Sequence, residues 1–278
     1  MRSALLRALG FALAVVLVYL TFVWTRVGQQ LDAAAFLAAG TVASSPFGVL
    51  VDQTRTTAVV VLAVAATIAS VRALIQRRLY AVSTALLLVI TSAGIARALR
   101  AELPRPYLGE FAYQYNTLPS GHAAAAAALV VALLVLLPVG LAPRTVNSAA
   151  ILVITGSGFA SVLSFAHRPS DVLAAVLIVG CLGSLLRLLP QSASPLIPDR
   201  SGLWAAGATA AAALLHLGLL ASVGLIRGLL AALAPATAIL AAAAWVLLLA
   251  VPVRNSGIPA SFAQEPGPRR RLPTPPSG

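Results

Sequence analysis

Long apolar segments dominate the hydropathy pattern of this chain of 278 residues. A helix needs about 20 consecutive apolar residues to cross a bilayer, and segments of this kind recur along the chain. They lie at residues 5–24, 57–76, 79–98, 120–142, 147–166, 171–189, 203–223 and 229–251. The pattern therefore predicts an all-α polytopic membrane protein with about eight transmembrane helices.

The region between the first two segments, residues 27–56, has a weaker apolar pattern that is broken by glycine, serine and proline. Such a pattern favours an interfacial or re-entrant helix over a membrane crossing. The first segment follows Arg2 and Arg7, as in a signal peptide, but its apolar run is long and no A-x-A cleavage site closely follows it. We therefore expect the first segment to be a retained span.

The composition excludes a soluble domain, because 60% of the residues are hydrophobic, only 9% are charged and the mean hydropathy is +0.95. The formal net charge is +12, and arginine is its only source. These arginines lie mostly beside apolar segments, where they orient helices and contact anionic lipid headgroups. We therefore expect anionic lipids at the cytoplasmic face and no nucleic acid. The single cysteine, Cys181, excludes an intramolecular disulfide.

We expect a multi-pass protein of a bacterial-type plasma membrane. The positive-inside rule favours both termini in the cytoplasm, although the outer loop with Arg97, Arg100 and Arg105 argues against that orientation. In that orientation the cytoplasmic loops contain Arg77, Arg78, Arg144, Arg187, Arg200, Arg254 and Arg269 to Arg271. The third and fourth spans then share one outer loop, and the fifth and sixth spans share another. Polar residues of these two loops can therefore meet at the outer membrane face.

Two histidines, a carboxylate and several arginines are concentrated in these outer loops. The first loop and the helix start that follows it contribute Arg97, Arg100, Arg105, Ser120, Gly121 and His122, and the second contributes His167, Arg168 and Asp171. Arginine forks bind phosphate oxygens, and a helix N-terminus favours an anion. A histidine oriented by a carboxylate can attack phosphorus while a second histidine protonates the leaving oxygen. The residue types therefore predict phosphoryl chemistry without a metal or other cofactor.

Most of these residues also have a purely structural interpretation. Ser120 can serve as an ordinary helix cap, and Asp171 can be an acidic residue in the first turn after Pro169. Arg97 and Arg100 can extend toward lipid headgroups. The two histidines can be polar packing residues, although their joint pattern favours the catalytic interpretation.

Three short motifs carry a resemblance to a known family. They are RP at Arg105 and Pro106, PSGH at Pro119 to His122, and HxxxD at His167 to Asp171. In order and spacing they resemble the signature of the type-2 phosphatidic acid phosphatases, a superfamily that includes bacterial undecaprenyl pyrophosphate phosphatases and vanadium haloperoxidases. The resemblance implies a six-helix phosphatase-like core over residues 1–190. Two additional helices within 191–253 and a disordered proline- and arginine-rich tail at 254–278 would follow it.

The resemblance also implies roles for individual residues. His167 would be the nucleophile that forms a phosphohistidine, Asp171 its orienting partner, and His122 the acid for the leaving group. Arg105, Ser120 and Gly121 would hold the phosphate.

Two positions depart from the family pattern. Ala98 stands where the family has a lysine, and Ser161 stands where it has an arginine. Arg97 and Arg100 are candidates to replace the first cation, and Arg168 is the candidate to replace the second.

The sequence therefore predicts a phosphatase that hydrolyses a lipid-linked phosphate or pyrophosphate, of the polyprenyl or phosphatidate class, at the outer face. Two alternatives remain open. One is a weakly active or inactive relative that binds lipid phosphate or scaffolds partners, as the two missing cations permit. The other is a phosphotransferase that uses an alcohol acceptor. His216, deep in the seventh predicted span, is expected to be a packing residue.

Overall fold

The computed structural model describes residues 2–44, 46–109, 115–137 and 143–189, and within these ranges the chain folds entirely into helices and connecting turns. These described ranges contain seven helices: α1 (Arg2–Trp24), α2 (Arg26–Ala43), α3 (Pro46–Ile75), α4 (Leu79–Glu102), α5 (Gly121–Leu136), α6 (Pro143–Leu163) and α7 (Pro169–Leu186). The two last predicted spans, the tail and His216 lie outside the described residues.

Each of the first six predicted spans corresponds to one of these helices. By length and composition, α1, α4, α7 and the part of α3 from Gly48 onward can cross a membrane, while α5 and the apolar part of α6 are shorter. A helical membrane protein is therefore confirmed over the described residues. The count of six plus two transmembrane helices stays a prediction.

The segment predicted to be interfacial or re-entrant contains one complete helix and the start of another. Helix α2 ends at Ala43, and α3 begins at Pro46 instead of near residue 57. Proline is favoured in the first turn of a helix, which explains this starting point. The apolar pattern placed the start later because polar residues, including the ion pair of Asp52 and Arg55, occupy the early turns of α3.

Helix α7 lies at the centre of the bundle, where α1 and α5 pack against it. Helix α5 also contacts α3, α4 and α6, and its buried alanines allow these neighbours to approach closely. By contrast, α3 is mostly exposed, as expected for a helix that faces lipid. The main core cluster includes Phe11, Val18, Leu88, Val131 and Val176.

The N-terminal ends of α5 and α7 are joined directly. The backbone N–H of Ser120, just before α5, donates to the carbonyl oxygen of Asp171 in the first turn of α7 at 2.9 Å. This bond brings the PSGH and HxxxD motifs to the same end of the bundle.

Candidate active site

The PSGH motif forms the start of α5. Ser120 is the N-cap residue, fully buried, and its hydroxyl oxygen accepts a hydrogen bond from the N–H of Ala123 at 3.4 Å. Asn116 stabilises the preceding turn, since its side-chain oxygen accepts from the N–H of Leu118 at 3.1 Å. The motif therefore caps α5, and the first N–H groups of that helix lie at the end of the bundle where α7 also begins.

The HxxxD motif places an imidazole against a carboxylate. Nδ1 of His167 lies 3.4 Å from Oδ2 of Asp171, and both side chains are buried. The N–H of His167 donates to the carbonyl oxygen of Ser161 at 3.1 Å, which fixes the turn between α6 and α7. Because the carboxylate lies at Nδ1, the other ring nitrogen, Nε2, is directed away from Asp171.

Asp171 is held by more than the histidine. Its Oδ2 atom accepts hydrogen bonds from the hydroxyl of Thr117 at 2.6 Å and from the N–H of Arg168 at 3.0 Å. Thr117 lies two residues before the PSGH motif. The carboxylate of Asp171 therefore connects the HxxxD motif to the turn that leads into PSGH. Thr117 was not among the predicted site residues.

His122, the second residue of α5, is partly exposed. Four charged or titratable groups act electrostatically on its ring, namely Arg55, His167, Asp52 and Arg100. His122 therefore lies within electrostatic range of His167 and of the polar early turns of α3. Arg55 was not among the predicted site residues, although its side chain is only 14% exposed.

Arg100 lies directly on the PSGH turn. Its Nη2 atom donates to the carbonyl oxygen of Pro119 at 2.9 Å. A Cβ atom built on Gly121 would lie 2.9 Å from the same nitrogen. Gly121 therefore provides the space that Arg100 occupies. Arg97, one turn earlier on α4, is exposed.

Arg168 is fully buried behind the carboxylate of Asp171. Its Nη1 atom donates to the hydroxyl of Thr117 at 3.2 Å, and its guanidinium carbon lies 5.9 Å from the ring centroid of Phe36. Phe36 in turn stacks on Phe165 with ring centroids 3.9 Å apart. The Arg168 guanidinium is therefore linked to Asp171 through the hydroxyl of Thr117 and contacts an aromatic ring on its other side.

Arg105 is positioned by its two neighbouring prolines. The hydroxyl of Tyr19 donates to the carbonyl oxygen of Pro104 at 2.6 Å. The side-chain amide of Gln29 donates to the carbonyl oxygen of Pro106 at 2.9 Å. The terminal nitrogens of Arg105 are buried. Helices α1 and α2 therefore hold the RP motif.

The two positions that depart from the family pattern have different surroundings. Ala98 is exposed on α4. Ser161 is fully buried, its hydroxyl donates to the carbonyl oxygen of Ser157 at 3.0 Å, and its own carbonyl accepts from His167. At position 161 the chain therefore uses a neutral residue that supports the backbone of His167.

Helix α2 contributes a polar face that sequence reasoning missed. Gln29 and Asp32 are almost fully buried, as is Phe36, and their spacing of three and four residues places them on one side of the helix. Asp32 accepts hydrogen bonds from the N–H of Ser170 at 3.1 Å and from the hydroxyl of the same serine. Two polar residues at helical spacing within a weakly apolar segment were the available signal.

The environment of Asp32 favours its neutral form. Burial raises the pKa of its carboxyl from 3.8 to about 7, and the negative charge of Asp171 adds to this effect. The hydrogen bonds from Ser170 and the charge of Arg168 act in the opposite direction.

The three motifs lie in a part of the chain that matches a known protein family. Residues 101–194 match the PAP2 superfamily. All three motifs lie inside this range, so the resemblance predicted from them is confirmed. No curated protein and no solved structure matches the chain. This match covers about a third of the chain and indicates similarity to phosphatase-type membrane proteins.

The described residues contain no cluster of metal ligands beside these three motifs. Among these residues, no three side chains of histidine, cysteine, aspartate or glutamate are grouped in a way that could hold a metal ion. The groups of the predicted site that converge are two histidines, the carboxylate of Asp171 and arginine side chains, a set suited to an oxyanion.

Proposed function

We propose that this protein is an integral membrane phosphatase that removes phosphate from a lipid-linked phosphate or pyrophosphate through a phosphohistidine on His167. The observation that carries the proposal is the contact of 3.4 Å between Nδ1 of His167 and Oδ2 of Asp171, beside the start of α5. A carboxylate at Nδ1 fixes the tautomer in which Nε2 carries the lone pair that attacks phosphorus.

The substrate phosphate is proposed to bind at the N-terminus of α5. The N–H groups of Gly121 and His122 begin this helix, and Arg100 lies over Gly121. A helix N-terminus and a guanidinium both stabilise an anion, and the effect is larger for the extra charge of a phosphoryl transition state. Arg105 is proposed to bind the same phosphate.

In the first step, Nε2 of His167 forms a bond to phosphorus as the bond from phosphorus to the lipid oxygen breaks. His122 transfers a proton to that oxygen, and the lipid alcohol or lipid phosphate departs. In the second step, His122 takes a proton from water, the water oxygen bonds to phosphorus and the bond to nitrogen breaks. Inorganic phosphate leaves, and both histidines return to their starting states.

A lipid substrate agrees with the position of the site at one end of an apolar bundle. Large apolar side chains on α3 and α4 are exposed, among them Val64, Ile68 and Ile90. A polyprenyl or acyl tail can therefore remain in the bilayer while the phosphate reaches the polar end. We place this end at the outer membrane face because the distribution of arginines between the loops favours that orientation.

The test is phosphate release by the purified protein in detergent that contains EDTA. Polyprenyl pyrophosphate, polyprenyl phosphate and phosphatidate are supplied separately, and each is compared with His167→Ala and with Ser184→Ala. Ser184 is a fully buried serine near the other end of α7 and serves as the control. We expect release by the wild type and by the control, and an acid-labile phosphoprotein only where His167 is present.

Release that persists unchanged in His167→Ala would refute the mechanism. Binding of anionic lipid without turnover, weakened by Arg105→Ala, would identify a lipid-binding relative in place of an enzyme. A phosphorylated product that forms only when an alcohol is added would identify a phosphotransferase.

A further inference from the structure

The first turn of α7 is capped by a residue from a distant part of the chain. Ser170 is the second residue of α7, where a helix cannot satisfy its own N–H groups. Its N–H donates to Oδ1 of Asp32 at 3.1 Å, and its hydroxyl donates to Oδ2 of the same carboxyl group. The two residues are 138 positions apart in sequence, so this cap exists only in the folded protein.

The capped turn is also the turn that presents the carboxylate of the proposed nucleophile pair. Asp171 follows Ser170 directly and contacts His167 through Oδ2. A displacement of Ser170 would therefore move the backbone of Asp171 and change its distance from the imidazole. Asp32 is 2% exposed and Ser170 is likewise 2% exposed, so water cannot readily replace the lost hydrogen bonds.

The charged groups that act on Asp32 belong to the same end of α7. They are Asp171, which repels its negative charge, and Arg168, which attracts it. Arg168 lies over Phe36, one turn after Asp32 on the same helix. Helix α2 thus contacts the HxxxD turn through both a carboxyl group and an aromatic ring.

We propose that Asp32 is a positioning residue for the His167–Asp171 pair, because it fixes the first turn of α7 and with it the carboxylate that orients the imidazole. The inference rests on the proposed function of His167. The hydrogen bonds of Asp32 go to Ser170, so in this proposal it acts through Ser170 and Asp171 and is not one of the groups that bind the phosphate. Its loss should therefore lower kcat and leave KM nearly unchanged.

The experiment compares Asp32→Leu, Asp32→Asn and Ser170→Ala with the wild type in the phosphate-release assay. Leucine has a similar volume and no acceptor, while asparagine keeps one oxygen for the N–H of Ser170 and removes the charge. We expect kcat to fall on the order of 10- to 100-fold in the leucine variant, as for a small misplacement of a reacting group. The kcat of Asp32→Asn should lie between that of Asp32→Leu and that of the wild type.

Three further measurements separate positioning from a loss of folded protein. Each rate is divided by the amount of monodisperse, folded protein, and Ser184→Ala on the same helix is the matched control for Ser170→Ala. Asp32→Leu is also combined with Asp171→Asn. If Asp32 acts through Asp171, Asp32→Leu should add little to the loss in kcat that Asp171→Asn already causes. The pH profile of kcat should also change in Asp32→Asn, because a titratable group beside Asp171 is removed.

The inference would be overturned if folded Asp32→Leu kept kcat within about twofold of wild type, or if its effect multiplied in full with that of Asp171→Asn. If Asp32→Leu does not fold, Asp32→Asn and Ser170→Ala test the proposal in its place. Wild-type kcat in both of these variants would reject it. A wild-type protein that releases no phosphate would instead reject the proposed function.

Discussion

Substitution of Gly121 by alanine tests how Arg100 contributes to the site. Gly121 is the first residue of α5 and its φ angle is not in the left-handed region, so alanine fits the backbone. The added Cβ would nevertheless lie 2.9 Å from Nη2 of Arg100, whereas ordinary contact begins at 3.4 Å. The guanidinium is the end of a flexible side chain, so it should yield while the helix stays in place.

The size of the effect follows from the displacement. Nη2 must move by the difference between 3.4 and 2.9 Å, which is 0.5 Å. The hydrogen bond to the carbonyl oxygen of Pro119, now 2.9 Å long, would then approach the limit beyond which such a bond is weak. A hydrogen bond to a charged group contributes about 1.5–3 kcal/mol. The Pro119 bond positions the guanidinium. If its displacement costs Arg100 a hydrogen bond of that size to the phosphate in the transition state, kcat/KM should fall by roughly 10- to 100-fold.

The assay is kcat/KM for phosphate release, measured for Gly121→Ala and for Gly94→Ala as the matched control. Gly94 lies on α4, the helix that carries Arg100, and a Cβ built there meets no atom within 4 Å. We expect the control to match the wild type. In an Arg100→Ala background, Gly121→Ala should have little further effect. Wild-type kcat/KM in Gly121→Ala would refute the placement of Arg100 over the phosphate site.

Three other substitutions make further predictions. Thr117→Val removes a donor to Asp171, so kcat should fall about 10-fold; an unchanged kcat would contradict a role for this hydroxyl. Between about pH 4 and pH 7, Asp32 keeps its proton in the folded protein but has lost it in the unfolded chain. The thermal midpoint should therefore decrease as pH rises through that window, a slope that Asp32→Asn tests. This slope should be smaller in Asp32→Asn, and equal slopes would refute the raised pKa. Gln29→Leu removes the donor to Pro106 and should raise KM several-fold through Arg105; a change in kcat alone would argue against this assignment.

The parts of the fold and site that were predicted from the sequence depend on short-range patterns. Apolar runs of sufficient length mark membrane helices regardless of how they pack. The spacing in HxxxD places His167 and Asp171 on one side of a helix start, and a serine before a helix is a cap in most contexts. Local geometry alone therefore brought Ser120 and the His167–Asp171 pair into the prediction.

The arginines show where short-range patterns stop. Arg97 and Arg100 are three residues apart on α4, and either could have been a substitute for the cation missing at Ala98. Arg100 reaches the carbonyl of Pro119, while Arg97 is exposed. The packing of α4 against α5 determines which of the two arginines reaches the PSGH turn, because it sets which side of α4 faces the start of α5.

The sequence by itself determined that this is a helical membrane protein with three phosphatase-type motifs, because hydropathy and motif spacing are properties of neighbouring residues. Only the tertiary structure decided that Asp32 caps α7, that Thr117 holds Asp171, and that Gly121 makes room for Arg100. Each of these contacts joins helices or loops that are separate in sequence. A buried polar group must find a partner, but which partner it finds depends on how the helices pack.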